Sequence, residues 1–123
     1  MKRIYIAGAY SSDNVIGVLD NIRIGMRAAT EVMLAGYFPF CPWHDHLFQY
    51  MLRDGEKLHV QDYYAYSLAW LEVSDAVMVL PGFKASKGTL AEISRARGMG
   101  IPVYSFADTR LADPMSEWVK LNF

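Results

Sequence analysis

Ala76-Val77-Met78-Val79-Leu80-Pro81-Gly82, then Phe83-Lys84-Ala85-Ser86-Lys87-Gly88-Thr89, then Glu92, is the stretch that decides the fold. An apolar, β-prone run stops at once at Pro81-Gly82, which is how a buried strand ends. The spacing then predicts a helix from about Gly88 to Met99, a stop at Gly100, and another strand from Pro102 to Phe106. Working outward, Arg3 to Ala7 is a second short apolar strand that stops at Gly8. A turn-rich loop follows, in which Ser11, Ser12 and Asp13 can each cap a helix. From Val15 onward Leu19, Ile22, Met26, Ala29 and Met33 recur at helical spacing, and Gly36 closes the helix. Tyr37 to Phe40 reads as the next strand, so the chain opens with a β-α-β unit.

The middle is less regular. Pro42 makes Cys41 to His46 a loop, Leu47 to Arg53 reads as a short helix ended by Asp54-Gly55, and Val60 to Glu72 as a longer one with Tyr64, Leu68 and Leu71 inward. Asp113 to Leu121 is amphipathic and predicts a terminal helix. Strands alternating with helices imply an α/β fold with one doubly wound, flavodoxin- or Rossmann-like parallel sheet of four to five strands, helices on both faces. The fifth strand is expected in the middle without a definite position.

Composition sets the outer bounds. With 123 residues and no low-complexity or linker segment, residues 1–123 are expected to form a single domain. A hydrophobic fraction of 53% and an aromatic fraction of 14% are high for so short a monomer, which predicts self-association. A formal charge of −1 argues against a nucleic-acid polymer as partner, since that needs a basic face. The N-terminal apolar run is too short for a signal peptide or membrane span, and the single cysteine, Cys41, fits a reducing compartment. The expectation is a cytoplasmic protein with no membrane partner.

In an open parallel sheet, ligands bind beyond the carboxyl ends of the strands where the winding reverses. The two chemically unusual loops, from Gly8 to Ser12 and from Pro81 to Thr89, both leave strand ends and both lead into helices. Their glycines and hydroxyls, the free N–H groups of a helix start, and Lys84 with Lys87 favour an anionic or hydroxyl-rich ligand. Glu92 lies about one turn into its helix, at the mouth of that crevice. An acidic side chain there can also serve only the helix dipole.

Ser74 to Gly82, then Ser86-Lys87-Gly88-Thr89, Glu92 and Gly100-Ile101-Pro102-Val103, together with Ile4-Tyr5-Ile6-Ala7-Gly8, resemble the nucleoside 2-deoxyribosyltransferase-like family, which includes the 2′-deoxynucleoside 5′-phosphate N-hydrolases. The resemblance implies cleavage or transfer at the N-glycosidic bond of a (deoxy)nucleoside or its 5′-monophosphate. It implies Glu92 as nucleophile, Tyr5 as its orienting partner, and Gly8, Ser86 and Gly88 on the sugar or phosphate side. It requires no cofactor and no metal. Ser67 stands where the family has an aspartate, and a serine hydroxyl is a poor general acid. Another residue then supplies the proton, or the base needs less help, or the protein binds a nucleotide-derived ligand without turnover. Asp45, His46 and Asp62 are the chain's own candidates for that proton. Leu80-Pro81-Gly82 with Gly88-Thr89 and Glu92 is also similar, less closely, to the cytokinin-activating phosphoribohydrolases.

Further substrate contacts are expected from Ser11, Gly82 and Thr89 in the loops, from Ser67, and from Trp43 as a base-stacking wall. Asn122 is expected to reach a neighbouring subunit's pocket, as the resembled family's C-terminal residues do. His44, Asp45, His46 and His59 do not complete a metal-ligand spacing. Cys41 lacks an activating partner and reads as a small buried hydrophobe.

Overall fold

The computed structural model describes residues 2–106 and 118–120. Its sheet runs β2-β1-β3-β4-β5, with β1 at Arg3–Ala7, β2 at Phe38–Phe40, β3 at Ala76–Val79, β4 at Val103–Phe106 and β5 at Trp118–Lys120. The first four strands pair in parallel, with Tyr5 opposite Phe40 on one side and Val77 on the other. β5 pairs antiparallel with β4 along the edge. That corrects the expected terminal helix: the described part of Asp113 to Leu121 is the fifth strand, at the C-terminal edge rather than in the middle. Its three residues need no helical period, because a strand is satisfied by one row of ladder bonds to its neighbour.

Strand alternation splits the core in two. Ile4, Ile6, Ala76 and Met78 face α1, Val15–Leu34, with Ile22, Ala28, Ala29 and Val32. Tyr5, Ala7, Val77 and Val79 face the other side, with Leu71 from α2, Val60–Leu71, and Ile93 and Ala96 from α3, Lys87–Gly98. Burial on both sides is what lets these strands read as unbroken apolar runs.

Local chemistry sets the helix ends. The cap of α1 is Asn14, whose Oδ1 accepts from Gly17 N at 2.8 Å, one residue beyond the three expected caps. The buried face of α1 also differs from the expected stripe. Ile22 and Ala29 are buried, whereas Leu19 and Met26 remain 38% exposed and Met33 64%. The helix is turned toward its small residues because Trp43 packs against Gly25: a Cβ there would lie 2.2 Å from the indole Cδ2.

Pro42 does not force a loop. It opens a 3-10 helix, Pro42–Met51, in the first turn, where a missing N–H removes no hydrogen bond. This replaces both the expected loop and the separate short helix. α2 begins with a reciprocal cap in which Asp62 Oδ2 accepts from His59 N at 2.7 Å. Leu71 is its buried residue, while Tyr64, expected inside, points outward. Arg95 donates to Glu72 Oε1 at 3.0 and 2.7 Å, joining α3 to the end of α2. Ahead of β3, Asp75 accepts from Arg3 N at 2.7 Å, and that bond holds its carboxyl below the usual range. No helix among the described residues is long and apolar enough to cross a membrane.

Candidate active site

The chain leaves β1 toward β2 on one side and takes up β3 and β4 on the other, so the winding reverses between β1 and β3. The strand ends come very close there. A Cβ on Gly8 would sit 2.6 Å from Leu80 Cδ1, so the backbone after β1 passes directly over the end of β3. Three successive carbonyls then anchor the loop: Ala9 O accepts from Trp43 Nε1 at 3.1 Å, and Tyr10 O and Ser11 O accept from Asn21 Nδ2 at 3.1 and 3.2 Å.

Beside this crest lies the Tyr5–Glu92 pair. Tyr5 is fully buried in β1, its ring stacked on Phe40 at 5.6 Å, and Phe40 stacks in turn on Trp70 of α2 at 5.5 Å. That stack fixes the direction of the hydroxyl. It faces Glu92 of α3 and Ser67 of α2, and burial with the adjacent Glu92 carboxylate pushes its pKa far up. Tyr5 therefore stays protonated and can only donate to an ionised Glu92. Burial pushes Glu92 up to about 7, opposed by the neighbouring Tyr5 hydroxyl. The two groups are close enough to couple, yet Tyr5 Oη and Glu92 Oε2 are both buried short of a formed hydrogen bond. A buried carboxyl oxygen left in that state is costly, and such cost gathers where a ligand completes the site.

At the start of α3, Ser86 Oγ accepts from Thr89 N at 3.3 Å and from Thr89 Oγ1 at 2.8 Å. With both lone pairs engaged, its own proton is left to donate. Thr89 is buried under it, while Gly88 and Gly82 stand open, with nothing within 4 Å of a Cβ at either. Ser11 is exposed on the loop opposite.

Asp45 enters from the 3-10 helix. It is 8% exposed, and its neighbours are the Tyr10 hydroxyl, His46 and, at longer range, Tyr5 and Cys41. Burial raises its carboxyl above the usual range against the pull of Tyr10 and His46. His46 turns Nδ1 to Trp43 O and its ring edge to Tyr50. Cys41 is buried, with its thiol pushed up to about 11 by desolvation.

Two expected site residues are placed elsewhere. Trp43 is 1% exposed; its ring fills the space over Gly25, so it holds the loop after β1 instead of walling a ligand. Asp62 is taken up by the cap of α2. Asn122 lies outside the described residues. Tyr10 and Phe40 were not among the expected site residues. Tyr10 directly follows Gly8-Ala9 at a strand end, which was signal enough; the role of Phe40 depends on register with Tyr5, which one strand read alone does not reveal. Among the described residues no group of three or more His, Cys, Asp or Glu converges on a metal position.

The fold is shared with solved structures. One is a 2-deoxyribosyltransferase from the psychrotolerant bacterium Bacillus psychrosaccharolyticus, a biocatalyst for nucleoside synthesis; it is 17% identical with a TM-score of 0.65, over 85% of this chain and 71% of that one. Another is a conserved protein from Enterococcus faecalis V583, 18% identical with a TM-score of 0.68, over 89% of this chain and 65% of that one. At such identities the likeness is one of fold. No curated protein matches the chain. Residues 2–106 match the model described as a domain of unknown function (DUF7768), and the chain belongs to that family.

Proposed function

We propose that this protein cleaves or transfers at the N-glycosidic bond of a (deoxy)nucleoside or nucleoside 5′-monophosphate, with Glu92 as nucleophile. The observation that carries the reading is the buried, incompletely bonded Glu92 carboxyl against the Tyr5 hydroxyl, beside the switch point of the sheet. The fold shared with a 2-deoxyribosyltransferase supports the substrate class. Displacement at C1′ passes through an oxocarbenium-like transition state, which a facing carboxylate stabilises as it forms the bond. Tyr5 steadies the ionised carboxylate, and the Ser86 proton with the open turn at Gly88 serves a sugar hydroxyl or phosphate. The working unit is a homo-oligomer, paired through the apolar side of α1.

The test is release or exchange of base from a panel of nucleosides and monophosphates, with and without an acceptor base. Glu92→Gln is expected to lower turnover by about a thousandfold or more. Tight binding of one member without turnover of any would replace the enzyme by a nucleotide-binding protein. The Ser67 hydroxyl beside Tyr5, in place of an acid, is the feature that favours this second reading.

A further inference from the structure

Asp45 is a buried carboxyl whose side-chain partner is the Tyr10 hydroxyl. It stands in the first turn of Pro42–Met51 but makes no capping hydrogen bond, and it pairs with no cation among the described residues. The groups facing it are hydroxyls and rings: Tyr10 from the loop after β1, His46 beside it, Tyr5 from β1, and the Cys41 thiol just before the helix. Burial holds its carboxyl above the usual range, against the Tyr10 hydroxyl and His46, so it keeps a proton better than an exposed carboxyl does. Its position matters as much. The 3-10 helix reaches across the carboxyl end of the sheet, with Trp43 in the core under α1 and with Phe48 and Gln49 against Tyr66 and Tyr63 of α2, and the charges of Asp45 and Glu92 are both felt at the Tyr5 hydroxyl.

Two carboxyl groups from different elements, Asp45 after β2 and Glu92 after β3, therefore converge on the carboxyl-end crest, as a displacement at C1′ requires of its acid and its nucleophile. The geometry points to Asp45 as the general acid that protonates the departing base, an assignment that rests on the N-glycosidic reading above. Its rivals are occupied: Asp62 caps α2, and His46 Nδ1 meets the Trp43 carbonyl.

In the first step the Glu92 carboxylate bonds to C1′ while the C1′–N bond breaks. The bonding pair goes to the base, and the Asp45 proton joins it. A neutral free base, a glycosyl ester on Glu92 and an ionised Asp45 result. Water, or the N–H of a second base, then attacks C1′ and returns a proton to Asp45 as Glu92 leaves as carboxylate.

A matched pair of substrates tests this. 2′-Deoxyguanosine 5′-monophosphate and 2′-deoxyguanosine need a proton on the leaving base, whereas their 7-methyl counterparts carry a cationic base that leaves neutral without one. Asp45→Asn is expected to slow the unmethylated substrates about a hundredfold or more and the methylated ones by no more than about threefold. Glu92→Gln should slow both kinds alike. Retained turnover of the unmethylated substrates by Asp45→Asn overturns the assignment. So does an equal loss on both kinds in Asp45→Asn and Asp45→Glu, which marks a structural role. If the wild-type protein turns over neither kind nor any other member of the panel above, the N-glycosidic reading itself fails, and the two failures are told apart.

Discussion

Glu92 has to be ionised to attack, while burial holds it protonated up to about pH 7. A 7-methylated substrate needs no acid, so its kcat/KM should report Glu92 alone, rising about tenfold per pH unit below 7 and levelling above it. Unmethylated substrates add the requirement for a protonated Asp45, and their profile should be bell-shaped, with limbs that belong to the pair. The same shift acts on stability. A folded pKa raised above the unfolded value means that the unfolded chain loses the proton first. Stability is then whole below about pH 4.5, falls as pH rises toward about 7, and is flat beyond. The loss is on the order of 3 kcal/mol for a group so buried. Glu92→Gln carries no such penalty. It should melt with the wild type at pH 4 and above it at pH 8, a comparison that thermal unfolding across pH settles. An inactive variant that is the more stable protein is what a strained site predicts.

Between α1 and the 3-10 helix the contact of Gly25 with Trp43 decides where Asp45 sits. A methyl at position 25 would have to displace a buried indole ring that also holds Ala9 O. Gly25→Ala is therefore expected to lower stability by about 1–3 kcal/mol despite the better helix propensity of alanine, read as a lower denaturant midpoint. It should also reduce turnover of unmethylated substrates more than methylated ones, because the ring carries Asp45's helix with it. This contact shows which features the sequence reveals. β1 was legible to the residue, since Ile4 to Ala7 is buried on both faces and a glycine ends it. The positions of Ser86 at the start of α3 and Glu92 within it were legible because each sits a fixed distance from the end of β3. The buried side of α1 was not: Leu19, Met26 and Met33 share a helical stripe with Ile22, and hydrophobicity alone cannot say which half of a broad apolar arc meets the sheet. That choice came from Trp43, a residue far along the chain. The placement of Tyr10 against Asp45 was hidden for the same reason, being a contact between two loops.

At the level of the whole molecule, the apolar residues that α1 leaves outside have a definite pattern. Leu19, Met26 and Met33 repeat every seven residues, with Val15 one turn before, and all four are exposed. A seven-residue repeat keeps one seam of a helix turned toward a partner helix. On α1 that seam runs beside the face already used on the sheet, so a second α1 can dock without disturbing the core. The flanking charges Asp20 and Arg23 already pair with each other at 2.7 Å, which leaves the seam itself uncharged. Self-association through two α1 helices is the expected outcome, and the high apolar content of the chain points the same way. Leu19→Glu combined with Met26→Glu should convert the assembly to monomer in sedimentation velocity. The same exchange should leave the helical circular dichroism in place, since surface substitutions cost roughly 0.5 kcal/mol or less each. A wild-type protein that sediments as a monomer rejects the pairing. A double variant that stays associated places the interface elsewhere, with the exposed Tyr50, Met51, Val60 and Tyr64 as the next apolar surface to change.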